Sequence, residues 1–195
     1  EKRAMNRQTW EPVSASLQIV GQEMPLLLSQ TNRNMTYLNS ASTPKEGIQA
    51  EVVWVKSVED MESASMKGKV VFAEMSARKL YKTAIKNGAI GILTYDNPGY
   101  LQPEKNTTSI QFRSLPSPSD SDFWGIALSY EAKEKLVAQL KTGATEVLVK
   151  IETKRYPSEE LTIVADIKGS ELPNERLVYS AHVQEPGAND NATGV

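Results

Sequence analysis

Gly68-Lys-Val-Val-Phe-Ala-Glu-Met-Ser-Ala-Arg-Lys-Leu-Tyr-Lys-Thr-Ala-Ile-Lys-Asn-Gly-Ala-Ile-Gly-Ile-Leu-Thr-Tyr95 is the stretch that decides the class of fold. Its opening, Lys69–Glu74, is an apolar run of strand length. Ser76 is a favourable N-cap, and behind it Leu80 and Ala84, with Tyr81 and Ile85, recur at helical spacing as far as Asn87. Gly88 then supplies the residue that most readily closes a helix. Ala89-Ile-Gly-Ile-Leu-Thr-Tyr95 follows as a buried strand. Strand, helix and strand in so short a space predict a mixed α/β fold. Gly88-Ala-Ile-Gly91 has the look of a phosphate-cradling turn, but no Gly-Lys-Ser/Thr follows it; helix closure at Gly88 and close packing at Gly91 account for both glycines.

The same grammar extends outward. Glu51-Val-Val-Trp-Val-Lys56 is a preceding strand, separated by Met61–Gly68. Asn97–Asp122 has no clear periodicity and includes Ser114-Leu-Pro-Ser-Pro-Ser-Asp-Ser-Asp122; a loop of this length is either functional or a solvated Pro/Ser segment without a partner. Ile126–Ser129 reads as a strand, and a helix from Ser129 or Tyr130 through Thr142 turns Leu136, Val137 and Leu140 inward before Gly143 ends it. Glu146–Glu152 alternates, with Val147, Val149 and Ile151 on one face. Nearer the start, Trp10–Val20 reads as a strand carrying Leu17 and Ile19 inward, and Gln30–Pro44 as loop. Tyr156–Glu160 is a polar linker. The expected organisation is a lead-in over residues 1–46, a domain over 47–156 and a third segment over 157–195, without repeats of solenoid spacing.

A chain of 195 residues with 39% hydrophobic content buries one good core or two small ones. The net charge is −2, with Lys and Arg scattered along the sequence, so neither nucleic acid nor an anionic membrane is an expected partner. No run approaches the roughly eighteen apolar residues of a membrane helix. Cysteine is absent, which excludes disulfides and thiol catalysis. Glu1 in place of methionine, with no apolar signal segment, is the pattern of a mature or trimmed chain. Asn34, Asn106 and Asn191 each open an Asn-x-Thr triplet, a glycan acceptor only on a eukaryotic secretory route.

The one histidine stands in Ala181-His-Val-Gln-Glu-Pro-Gly-Ala-Asn-Asp190. Arg176-Leu-Val-Tyr-Ser-Ala181 is β-prone, which sets His182 at a strand's carboxyl end, where open α/β sheets hold their ligands. Pro186-Gly187-Ala188-Asn189 reverses the chain, bringing the Asp190 carboxylate back to the same region. Imidazole nitrogen and carboxylate oxygen together suit a divalent cation such as zinc. On spacing alone the alternative, a hydrogen-bonded histidine followed by an ordinary turn, stays open.

Ser180-Ala-His182 followed by Pro186-Gly-Ala-Asn-Asp190-Asn-Ala-Thr-Gly194 resembles the first metal motif of the co-catalytic zinc exopeptidases, a family that includes leucyl-type aminopeptidases, glutamate carboxypeptidases and transferrin-receptor-like proteins. Leu161-Thr-Ile-Val-Ala-Asp-Ile-Lys-Gly169 resembles a strand of the same family. The resemblance implies that His182 is a terminal zinc ligand and that Asp190 bridges two zinc ions. It also implies a departure: where the family carries an aspartate behind the histidine this chain has Gln184, with Glu185 as the nearest carboxylate, and such partners orient a ligating imidazole. The family's Glu-Glu pair, further acidic ligand and last histidine are expected after Val195, so no catalytic general base is expected within these residues, and zinc binding by them alone is expected to be weak or absent.

Residues 47–156 resemble a protease-associated domain, on Gly68-Lys-Val-Val71, the lysine-bearing helix and Gly88-Ala-Ile-Gly-Ile-Leu93. The resemblance implies a domain inserted into the start of an α/β peptidase core, its long loop leaning over the cleft. The implied function is that of a zinc aminopeptidase, secreted or periplasmic, acting on peptides; the other implied reading is a non-catalytic interaction module with a decayed metal site. Oligomeric state is not fixed by any of these features.

Overall fold

In the computed structural model, residues 1–116, 122–172 and 174–181 are described. The elements are β1 (Lys2–Ala4), β2 (Thr9–Ile19), β3 (Leu27–Leu28), β4 (Ile48–Trp54), α1 (Asp60–Ser63), β5 (Val70–Ala73), α2 (Ala77–Lys86), β6 (Gly91–Thr94), β7 (Trp124–Ala127), α3 (Tyr130–Leu140), β8 (Glu146–Tyr156) and β9 (Glu159–Leu161). They fall into two compact units, Thr9–Tyr156 and a second formed by Glu1–Gln8 with Pro157–Val195.

The larger unit is built on a seven-stranded sheet of order β3-β2-β8-β4-β5-β6-β7. Its two halves follow different rules. β2, β3 and β8 are antiparallel, whereas β4, β5, β6 and β7 run parallel. β4 joins the halves by dividing its length: Ile48–Glu51 pair antiparallel with β8, and Val52–Trp54 pair parallel with β5. Parallel neighbours need a crossover, supplied between β5 and β6 by α2. The fold is therefore mixed α/β.

Alternation along the strands divides the interior into two cores. Val70 and Phe72 of β5 enter one core while Val71 and Ala73 enter the other; Leu93 and Ile92 divide the same way on β6. Strands covered on both faces explain why these runs read as continuously apolar. α3 sends Ala132, Leu136 and Val137 into the first core, and α2 sends Ala77, Leu80, Tyr81 and Ala84 into the second. Ile85, expected on the inner face of α2, is 39% exposed at its margin. Ser129 caps α3 through its side chain, which accepts the Ala132 N–H, whereas Ser76 precedes α2 without a side-chain cap.

Two glycines carry the load the sequence suggested. Gly88 has φ +76°, the left-handed conformation that ends α2. At Gly91, a Cβ atom would lie 2.4 Å from the ring of Trp124 on the neighbouring strand, so the ring packs directly on bare backbone.

Residues 35–43, expected as loop, act as a belt. The Ala127 N–H donates to the Met35 carbonyl at 2.8 Å and the Tyr37 N–H to the Gly125 carbonyl at 3.1 Å, covering the outer edge of β7. Ser40 Oγ accepts the Gly125 N–H at 3.1 Å. The chain then reaches β8, where the Thr43 N–H donates to the Ile151 carbonyl at 2.9 Å and Ser42 Oγ accepts the Thr153 N–H at 3.0 Å. The belt satisfies an edge that would otherwise offer unpaired groups. Side-chain periodicity could not reveal it, because its bonds are made by backbone and by hydroxyls.

The compact unit begins at Thr9, well before residue 47, since β2 pairs with β8 from Thr9↔Tyr156 to Ile19↔Val147. In the smaller unit, β1 and β9 form a two-stranded ladder, Lys2↔Leu161 to Ala4↔Glu159, flanked by ion pairs Lys2–Glu159 at 3.4 Å and Arg3–Glu160. The linker reading of Tyr156–Glu160 is thus corrected, because part of it pairs with residues near the amino terminus. The strands expected over Leu161–Gly169 and Arg176–Ala181 are also corrected: beyond Leu161 the described residues of these segments form no strand. Ile163, Ile167, Leu177, Val178 and Tyr179 are largely exposed there. A β-prone sequence becomes a strand only when a neighbour supplies the ladder, and past Thr162, which exchanges backbone hydrogen bonds with Glu1, the described residues of these segments are in no ladder.

Candidate functional site

His182, Gln184, Glu185 and Asp190 lie outside the described residues. Among the described residues, no group of three or more His, Asp or Glu side chains is placed to hold a metal ion. The segment that leads to His182 forms no helix or strand over residues 176–181, and its Leu177-Val178-Tyr179 run is more than 80% exposed. It is a strand sequence lacking the neighbour that would place its carboxyl end.

The larger unit gathers a polar cluster at the carboxyl ends of its parallel strands, where α/β sheets commonly hold functional groups. Glu74 follows β5, Tyr95 follows β6, and Tyr130 and Lys133 occupy the first turn of α3. Lys133 Nζ lies 5.0 Å from the Tyr95 ring centroid and 4.7 Å from that of Tyr130, a double cation–π contact. The rings meet edge to face with centroids 6.2 Å apart. Glu74 Oε2 is 3.6 Å from the ammonium, and Glu134 is bonded directly to it. Burial opposes the charge, but the Glu134 hydrogen bond and the Glu74 field outweigh it and raise the Lys133 pKa above the ordinary lysine value. The charged form of Lys133 is thereby favoured over the neutral amine that a Schiff-base nucleophile requires. Burial likewise raises the Tyr95 pKa, against the opposing field of Lys133.

Thr94, the residue before Tyr95, shares a hydrogen bond of 2.5 Å with Tyr37 of the belt. Burial pushes the Tyr37 hydroxyl up to about 12 despite that bond. Next along the chain, Asp96 pairs with Arg113 at 2.9 Å. The loop expected over Asn97–Asp122 is fastened in its described part by amides: Asn32, Asn34 and Asn97 donate to the carbonyls of Thr108, Ile110 and Ser109. Neither the lysine cluster nor these anchors was found from sequence, although Glu74 and Tyr95 each follow a buried strand directly, which is the one available signal. Chemically the arrangement fixes strand ends and a loop; it contains no nucleophile paired with a base.

No family model matches the chain. Carboxypeptidase Q of Xenopus laevis is 27% identical over 97% of this chain and 44% of its own length. The fold matches an aminopeptidase from Aneurinibacillus sp. strain AM-1 with a TM-score of 0.56, at 17% identity over 82% of this chain and 36% of that one. It matches a zinc aminopeptidase from Bacillus subtilis with a TM-score of 0.50, at 18% identity over 80% and 35%. The chain is thus similar in sequence to a carboxypeptidase and shares a fold with these two aminopeptidases. It spans less than half the length of each of these relatives.

Proposed function

We propose that this chain is part of a zinc aminopeptidase that removes amino-terminal residues from peptides, with His182 and Asp190 as metal ligands and the larger unit serving as a protease-associated domain that covers the cleft. The observation that carries the reading is a sequence likeness extending over 97% of the chain to a carboxypeptidase, joined to a fold shared with aminopeptidases. The donor set fits: one neutral imidazole and one carboxylate are the nitrogen and oxygen ligands zinc accepts. Zinc, when bound, supplies Lewis acidity and a nucleophilic hydroxide near neutral pH. His182 would hold one ion and Asp190 would bridge two, while Gln184 or Glu185 orients the imidazole from behind. The remaining ligands and the general base would come from residues beyond Val195, so residues 1–195 alone would bind zinc weakly and turn over no substrate.

The exposed Ile163, Ile167, Leu177 and Val178 support this reading, since they have the pattern of strands that pack against further parts of a larger α/β core. A secreted or periplasmic location goes with it. The test is metal analysis and amino-acid amide hydrolysis on a protein extended to the length of its relatives. Loss of both zinc and turnover in His182→Ala and in Asp190→Asn supports the proposal; unchanged zinc content and rate in both variants overturns it.

A further inference from the structure

Lys and Arg are scattered in the sequence, but folding collects several of them on one face of α2. Arg78, Lys82 and Lys86 succeed one another at four-residue spacing, Lys79 lies beside them, and all four are exposed. Lys67 adds a fifth cation at the helix's carboxyl end, its Cα 3.4 Å from where a Gly88 Cβ would stand. None of these five is engaged in an ion pair among the described residues, and the helix has no acidic residue in its first turn.

Helix stability does not account for this face. Like charges at four-residue spacing destabilise a helix. Arg78 and Lys79 also sit at the amino-terminal end, where the helix dipole disfavours cations. The charge is concentrated in a chain whose net charge is −2.

An apolar groove adjoins the same helix. It has a volume of about 340 Å³ and is lined by Ile48, Ile85, Ala89, Ile90, Phe123 and Asp122. Ile85 lies between Lys82 and Lys86 in sequence and belongs to both surfaces. Asp122 is the one charged residue in the lining, so an acidic ligand must lay its carboxylates toward α2 and only an apolar side chain into the groove.

We propose that the α2 face and this groove together form a docking surface for an acidic polypeptide segment carrying an apolar anchor residue. Charge complementarity selects the acidic partner, and the groove selects a peptide over a lipid surface, because membrane binding calls for apolar groups that protrude. A nucleic-acid strand would meet no exposed aromatic platform along this helix. The inference is independent of the peptidase reading and is tested without any activity measurement.

The full chain is titrated with a fluorescein-labelled peptide of glutamates and aspartates around one leucine, followed by polarisation. Binding that weakens with salt is expected. The triple change Arg78→Gln, Lys82→Gln, Lys86→Gln should reduce affinity by about tenfold or more, the loss expected for several exposed ion pairs. Ile85→Ser, and serine in place of the peptide's leucine, should each weaken binding without removing its salt dependence. Single changes at Lys82 and Lys86 give smaller graded losses and serve where the triple variant melts early. The proposal is overturned by an unbound peptide at low salt, by unchanged affinity in the glutamine variants, by indifference to the leucine, or by phosphatidylserine vesicles or single-stranded DNA binding the same face more tightly than the peptide.

Discussion

Gly91→Ala tests the packing that holds β6 against β7. The added Cβ would stand 2.4, 2.5 and 2.6 Å from three ring atoms of Trp124, a side chain with no exposed surface. Carbon atoms rest about 3.5–4.0 Å apart, so the ring must retreat by about 1 Å into a core that has no slack. Overpacking of this kind costs roughly 1–3 kcal/mol, and a rigid indole with no exit places the expected loss at about 2–3 kcal/mol. For a domain of this size, that lowers the melting temperature by roughly 4–12 °C. Urea unfolding followed by tryptophan fluorescence gives the free energy, with near-ultraviolet circular dichroism reporting on the ring environment. The companion variant Trp124→Leu removes the obstacle, so Gly91→Ala in that background should cost well under 1 kcal/mol, revealing a coupling between the two sites. Stability within about 0.5 kcal/mol of the parent for Gly91→Ala alone, or strict additivity in the double variant, would refute the argument.

Tyr37 gives a pH signature. Its hydroxyl is held up to about 12, above the ordinary 10, so the folded state keeps its proton where the unfolded state has lost it. The contribution is fully present below pH 10 and declines as the pH rises towards 12, by about 1.4 kcal/mol at pH 11; in Tyr37→Phe this part of the alkaline decline should vanish from urea titrations run at pH 9 and 11. Leu80→Ala, at a fully buried site in the second core, should cost about 2–5 kcal/mol, and a loss below 1 kcal/mol in the same assay would contradict the assignment of that core. Residues 1–195 incubated with zinc should show only weak binding by calorimetry and no hydrolysis of amino-acid amides; tight stoichiometric binding would mean that the ligand set is complete without residues beyond Val195.

The central α/β unit was legible because its signals are local. Leu80 and Ala84 at helical spacing, Ser129 as a cap, Gly88 as a closure and Val147, Val149 and Ile151 in alternation each express the energetics of one element. What escaped depends on distant partners. The belt at residues 35–43 is held by backbone groups and by Ser40, Ser42 and Thr43, residues that look like loop in any window. The Lys133 cluster joins residues from three elements that no spacing connects. The opposite error occurred over Ile163–Gly169 and Arg176–Ala181, where apolar content reads as strand although the described residues there are in no ladder. The placement of His182 and Asp190 rests on their motif and on the proposed function.

Thr9 and Tyr156, first and last residues of the larger unit, are paired partners on adjacent antiparallel strands. Such partners lie only about 4.5–5.5 Å apart. The chain therefore enters and leaves the unit at almost one point, which makes Thr9–Tyr156 a removable cassette: a short Gly-Ser splice from Gln8 to Pro157 spans the gap that its excision leaves. The same closeness permits the reciprocal operation, in which the cassette is grafted into a surface turn of an unrelated protein, carrying β2 and the belt with it and needing no long connectors.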